Sequence, residues 1–170
     1  MKHIMVVSYE FLMALVMNLP RYVFFNSIKA LFLRCMGAKI GSGVVIYPGV
    51  WIVPGRNLVI GNDVDLAKDV LITTSGGVII GDRTLVGYRT QIISSNHSIP
   101  PVGEPFPISG DVHKQVFIAE DVWIGANCVI CPGVTIDSGS VIAAGSVVTK
   151  DIPKNSIAGG NPATVLSTRV

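Results

Sequence analysis

The sequence predicts an all-β fold: a left-handed parallel β-helix of about five coils, with an N-terminal helical segment and one long excursion loop. Three observations carry this reading. From Ile118 an aliphatic residue returns every six positions, at Ile118, Ile124, Ile130, Ile136, Ile142 and Val148. The fifth place of each hexad is small or aliphatic as well: Val122, Cys128, Val134, Ser140, Ser146 and Ile152. The 170-residue chain is 49% hydrophobic but only 7% aromatic and 14% charged, with 18 Gly and 10 Pro. That composition suits a narrow aliphatic prism with many corners, and argues against disorder. A period of six belongs neither to a helix nor to a simple alternating strand, so it marks a repeat architecture. Three hexads close one triangular coil. Each coil rises about 4.8 Å, and its aliphatic residues stack on those of the next. Gly, Asn and Asp serve the corners, where the backbone is demanding.

Residues 1–39 precede the repeats. Ile4 to Leu19 is apolar but interrupted by Ser8, Glu10 and Asn18. Its longest unbroken run, Phe11 to Met17, is far short of the roughly 20 residues a spanning helix needs. Pro20 to Met36 reads as a helix, with Pro20 in the first turn and Gly37 as the stop. Phe24, Phe25, Ile28, Leu31, Phe32 and Cys35 share one face of it, and Lys29 and Arg34 reach out from the sides. Two roles fit this segment. It caps the open end of the β-helix, whose last coil otherwise exposes backbone and apolar surface. Alternatively, residues 1–36 lie in a membrane interface with basic groups at the headgroups. The two are compatible through different faces.

The hexads begin at Ile40, Ile46 and Ile52 and continue through Ile60, Leu66, Ile72, Ile80, Val86 and Ile92. Each coil here takes 20 residues, so an extra pair bulges from one corner per coil. No hexad survives from Ser94 to Gln115, a stretch holding Pro100, Pro101, Pro105 and Pro107. It reads as a single excursion, of the kind that carries function. The repeat stops at Ile152-Pro153. The domain reading is therefore a helical segment over 1–39, a β-helix over 40–153 with a loop at 94–115, and a closing segment over 154–170, with a strand or helix around Ala163 to Leu166.

The net charge is +2, which gives no footprint for nucleic acid, and no nucleic-acid partner is expected. Residues 1–39 hold five basic side chains against Glu10 alone, a balance of +4. Cys35, Cys128 and Cys131 make no even disulfide set. Cys128 falls in an inward place, so packing is favoured for the Cys128/Cys131 pair over a redox or zinc role. The start lacks a small-residue cleavage site. These features point to the cytoplasm, at the inner face of the membrane where residues 1–36 make contact with it. Of three histidines, His97 opens the excursion, supported on one side by the repeats and open to a ligand on the other. Histidine is the side chain suited to taking a proton near neutral pH. Neither His113, in the same loop, nor His3 has an assigned role.

Several runs carry a resemblance: Val122-Trp123-Ile124-Gly125-Ala126, Cys131-Pro132-Gly133-Val134-Thr135-Ile136, Val148-Thr149-Lys150-Asp151-Ile152-Pro153 and Gly160-Asn161-Pro162-Ala163. In this order they resemble the bacterial hexapeptide-repeat acyltransferase superfamily, and within it the CoA-dependent O-acetyltransferases of sugars and surface polysaccharides. The resemblance implies a homotrimer with sites between neighbouring prisms and acetyl-CoA as acyl donor, without a metal. It implies His97 as the general base for a sugar hydroxyl. It places backbone N–H groups near Gly125 and Ala126 at the thioester and those near Ala144 at the pantetheine arm. Trp123 then walls the acetyl pocket or serves only as a shelf at a corner. Thr149 and Lys150 match the nucleotide end of CoA, although Lys150 also reads as an ordinary exposed lysine. Two departures stand out. Thr164 sits where many relatives carry a basic residue, and Lys68-Asp69 where sugar acetyltransferases often carry asparagine. Asn96, beside His97, either orients the ring or the acceptor or only turns the chain, and the turn is favoured.

Other classes remain open at this point. A γ-class carbonic anhydrase shares the β-helix but needs three zinc-binding histidines. A non-enzymatic scaffold explains the repeats but leaves the excursion idle. A serine acetyltransferase needs a larger helical N-terminal domain. An amino group of a sugar is an alternative acceptor to a hydroxyl.

Overall fold

A computed structural model of the chain describes residues 2–106 and 110–170; Pro107 of the excursion lies outside the described residues. Helices α1 (Lys2–Met17) and α2 (Val23–Cys35) come first. The first coil is β1 (Lys39–Ile40), β2 (Val45–Ile46) and β3 (Trp51–Val53), and the second is β4 (Leu58–Ile60), β5 (Asp65–Leu66) and β6 (Leu71–Thr73). The third is β7 (Val78–Ile80), β8 (Leu85–Val86) and β9 (Gln91–Ile93). An arm of β10 (Ser95–His97) and β11 (Asp111–His113) then leaves the prism. The fourth coil is β12 (Val116–Ile118), β13 (Trp123–Ile124) and β14 (Val129–Ile130), and the fifth is β15 (Thr135–Ile136), β16 (Val141–Ile142) and β17 (Val147–Val148). β18 (Ser156–Gly160) and β19 (Ala163–Thr168) close the chain.

Equivalent strands of successive coils pair in parallel, giving three sheets that form the walls of a left-handed β-helix. The expected fold is borne out residue by residue. Ile118 pairs with Ile80 and Ile136, Ile124 with Val86 and Ile142, and Ile130 with Ile92 and Val148. All of these side chains are buried. The extra pair of the early coils sits between the third and first sheets, where strands run to three residues. Most corners turn through left-handed backbone at the third place after the inward aliphatic, as at Asp63 (φ 55°), Asn127 (φ 55°) and Gly133 (φ 87°). Arg83 and Arg89 stand there too, against the expected residue types. Arg83 is held by Asp121 at 2.8 Å.

Three expectations need correction. The coils do not stop at Ile152-Pro153: β18 pairs in parallel with β16, adding part of a sixth coil, and only β19 turns back antiparallel. Pro20 lies ahead of α2, whose N-cap is Tyr22 in extended conformation. Gly37, at φ 98°, does stop the helix. There the Gly37 and Ala38 N–H groups donate back to the Arg34 and Leu33 carbonyls.

The third correction concerns which face of α2 packs. Lys29 does not reach out from the side of the helix: it is buried with Asn26, Ala30 and Leu33, while Phe24 and Leu31 of the apolar face are exposed. Asn26 Oδ1 accepts the Ile46 N–H at 3.2 Å, Lys29 Nζ donates to the Ile46 carbonyl at 2.7 Å, and Arg34 Nη2 donates to the Ile40 carbonyl at 2.7 Å. The first coil has no neighbour on this side, so its strand edge carries unmatched backbone groups. Leaving those buried and unpaired costs more than burying polar side chains that pair with them. α1 packs on β3 with Met13 and Met17 fully buried. The Tyr9 hydroxyl donates to the Ile52 carbonyl at 2.6 Å, and burial pushes its phenol up to about 12.

Candidate active site

The prism has three edges, and two of them carry the residues singled out from sequence. The edge between the second and third sheets holds Gly125-Ala126 after β13 and Ala143-Ala144 after β16, directly above one another. The edge between the third and first sheets holds the root of the β10–β11 arm and, two coils on, Thr149 and Lys150. Trp123 projects from the second sheet next to the first of these edges and is 56% exposed.

The corner backbone at Gly125–Ala126 is fixed from inside. The hydroxyl of buried Thr90 donates to the Gly125 carbonyl at 2.8 Å and accepts the Cys128 N–H at 3.1 Å. One coil on, the Ala143 carbonyl accepts from Cys128 Sγ at 3.2 Å and from the Ser146 hydroxyl at 2.5 Å. Coils meet closely here: a Cβ added at Gly125 would stand 2.6 Å from the Ala144 nitrogen. The expected role of the Gly125 N–H needs revision, because it donates to the Ile142 carbonyl at 2.8 Å. Gly125 contributes by lacking a side chain. The N–H groups of Ala126 and Ala144 make no hydrogen bond among the described residues. They form two fixed donors, one coil apart, on an open edge.

Burial raises the Cys128 thiol above its ordinary range, and the Cys131 thiol likewise. Neither is a ready nucleophile. Among the described residues no three His, Cys, Asp or Glu side chains gather as a metal site.

His97 ends β10 with its side chain 77% exposed. β11 runs antiparallel to β10, so His97 faces Asp111, and Nδ1 lies 2.8 Å from Asp111 Oδ1. A ring whose Nδ1–H is held by a carboxylate presents Nε2 as the acceptor. Sequence reasoning missed Asp111. The triplets Ser95-Asn96-His97 and Asp111-Val112-His113, on either side of the proline-rich tip, carry too little alternation to mark them as paired strands. Asn96 lies in extended strand opposite Val112 and does not turn the chain. His113 pairs with Ser95 on the same arm. Thr149, Lys150 and Thr164 are all exposed.

Within the single chain, then, His97, Thr149 and Lys150 share one edge, while Ala126, Ala144 and Trp123 belong to another. The arm and the free N–H groups are not brought together on a single edge.

Residues 115–150 match the family model described as bacterial transferase hexapeptide (six repeats). The chain is 34% identical over 142 residues to the putative colanic acid biosynthesis acetyltransferase WcaF of Escherichia coli K12, covering 84% of this chain and 75% of that one. It is 39% identical over 88 residues to the galactoside O-acetyltransferase of Lactococcus lactis; that match covers 52% of this chain and 42% of the relative. Among solved structures, a hexapeptide-repeat acetyltransferase of Vibrio cholerae complexed with acetyl coenzyme A superposes with a TM-score of 0.83 at 29% identity. It covers 96% of this chain and 86% of that one.

Proposed function

The chain belongs to the bacterial hexapeptide-repeat transferases, and from that premise we propose that it moves an acetyl group from acetyl-CoA to a hydroxyl of a sugar in surface-polysaccharide biosynthesis. The observation that carries the reading is the pairing of His97 with Asp111, combined with the unpaired N–H groups of Ala126 and Ala144. One is a positioned base; the others are fixed donors suited to a thioester and its pantetheine arm.

Acetyl-CoA supplies an activated acyl group when bound. The chain's own groups do the rest. His97 Nε2 takes the proton of the acceptor hydroxyl, and the Nδ1 contact with Asp111 steadies the imidazolium that results. The Ala126 N–H faces the negative charge that develops on the carbonyl oxygen. The Ala144 N–H holds the arm, and the exposed Lys150 and Thr149 are placed for the nucleotide end. His97 then returns its proton to the departing sulfur, so the enzyme ends as it began. Because base and donors lie on different edges, a complete site needs the arm of one prism beside the donor edge of another. That requirement supports a homotrimer with three interfacial sites.

The finer reading of localisation rests on α1 and α2. Val7, Phe11, Leu12 and Leu15 form an exposed stripe on α1, joined by Val23, Phe24 and Leu31 of α2. No described helix is long and apolar enough to cross a membrane. An apolar stripe on a segment of net charge +4 suits the surface of an anionic bilayer, at its cytoplasmic face, where a lipid-linked glycan precursor is presented.

The test is release of free thiol from acetyl-CoA in the presence of sugar acceptors. His97→Ala should lower kcat by roughly 10²–10⁴ while calorimetry returns an unchanged acetyl-CoA affinity. Wild-type turnover in that variant removes His97 from its role. Absence of acetyl-CoA binding to the wild type sinks the reading as a whole.

A further inference from the structure

An aromatic and charged cluster lies on the donor edge, outside the residues assigned so far. Tyr47 follows β2 and Tyr88 follows β8, both at the corner between the second and third sheets. The Tyr88 carbonyl accepts the Asn127 N–H at 2.8 Å, which puts Tyr88 one coil from Ala126. The two rings meet edge to face, 6.1 Å apart at 78°. Arg21, in the linker between α1 and α2, lies over Tyr47 with its guanidinium carbon 4.5 Å from the ring centroid, and its Nη1 donates to the Tyr47 hydroxyl. Asp65 projects outward from β5 in the ladder that continues through Leu85 to Trp123. It is partly buried and within electrostatic reach of Arg21.

Coil geometry does not require this cluster. The places equivalent to Tyr88 in other coils are Pro48, Lys68, Ala126 and Ala144, and those equivalent to Tyr47 are Ala67, Gly87, Gly125 and Ala143. Tyr88 is 53% exposed, so it contributes little to the core. What remains is a recognition surface: the open Tyr88 ring, joined through Tyr47 to a guanidinium that has a carboxylate within electrostatic reach, one coil (about 4.8 Å) from a donor N–H. Aromatic faces with a few convergent polar groups are how sites hold small polar molecules that have an apolar side. A pyranose has that form, with C–H bonds on one face and hydroxyls around its rim.

We propose that Tyr88, Tyr47, Arg21 and Asp65 form the acceptor subsite, in which a pyranose ring rests on Tyr88 while Asp65 and Arg21 bond its hydroxyls. This rests on the acetyl-transfer reading for its meaning, and it assigns acceptor choice partly to Arg21, a residue outside the prism. A ring held there offers a hydroxyl toward the thioester position at Ala126.

The test is saturation-transfer NMR with methyl gluco-, galacto- and mannopyranosides as probes, alongside thiol release from acetyl-CoA with the same sugars. Expected is saturation of ring C–H protons for at least one probe with the wild type, lost in Tyr88→Ala and kept in Tyr88→Phe. For that sugar, Tyr88→Ala and Arg21→Ala should raise the acceptor KM about ten-fold or more, with acetyl-CoA affinity unchanged. No saturation of any probe by the wild type overturns the subsite, as does an unchanged signal in folded Tyr88→Ala. Binding without thiol release counts against acetyl transfer and leaves the subsite standing.

Discussion

His97 and Asp111 are fourteen positions apart in the chain and face one another across the β10–β11 arm, Nδ1 to Oδ1 at 2.8 Å. Both side chains are more than half exposed. At such exposure an ion pair adds little to stability. The contact is better understood as one that fixes the ring: a carboxylate at Nδ1 favours the tautomer with the proton there and leaves Nε2 as the acceptor.

Asp111→Asn tests that role. The amide is nearly isosteric but can either donate or accept, so it no longer selects one tautomer. We expect kcat to fall on the order of ten-fold, less than the roughly 10²–10⁴ expected on removing the base itself. The KM for acetyl-CoA should hold, and Asp111→Glu should recover part of the loss. If Asp111 only braced the arm, the variant would lower the melting temperature and leave kcat alone.

Lys29 gives a prediction in pH. Its ammonium is fully buried under the first coil and bonded to the Ile46 carbonyl. Burial lowers its pKa to about 8, against about 10.4 in an unfolded chain. Between those values the unfolded state holds a proton that the folded state has released, so stability rises with pH. The penalty for the buried charge is therefore full below about 8 and relieved as pH climbs toward about 10.4. Tyr9, raised to about 12, acts in the opposite sense above pH 10 but is common to both proteins in a comparison with Lys29→Met. Denaturant midpoints of wild type and Lys29→Met, taken at pH 7.5 and pH 10, should diverge in favour of the wild type at the higher pH. A constant difference would mean that the amine does not titrate in this window.

The prism was legible because its core is one-dimensional. Once Ile118 and Ile124 set the period, register alone fixed that Ile80 and Ile136 stack on the first and Val86 and Ile142 on the second. The end of the stack has no such redundancy. The sequence of α2 had Lys29 reaching out from the side of the helix, whereas the open edge at Ile46 drew it in with Asn26, a demand set by backbone that the helix sequence does not display. Asp111 escaped for a related reason: a three-residue strand beyond a proline-rich tip has too little alternation to reveal its partner. The Gly125 N–H looked available because its pairing with the Ile142 carbonyl depends on the next coil and not on any residue type.

With α2 packed through Asn26 and Lys29, apolar side chains stay exposed on both helices, and the polar packing changes how membrane contact has to be tested. Deleting residues 1–36 would strip Asn26, Lys29 and Arg34 from the first coil, so loss of binding in that variant could reflect an uncapped fold. Phe11→Glu with Leu15→Glu avoids this. Both side chains are exposed, at 64% and 55%, and the buried Met13 and Met17 of the same helix remain in place. Wild type should co-sediment with vesicles containing phosphatidylserine, pellet less with purely zwitterionic vesicles, and release from the former as salt rises. The double variant should stay in the supernatant while keeping its melting temperature and oligomeric mass. Failure of the wild type to pellet with anionic vesicles sinks the membrane reading. A fall in oligomeric mass for the double variant would instead assign the stripe to contact between copies of the chain.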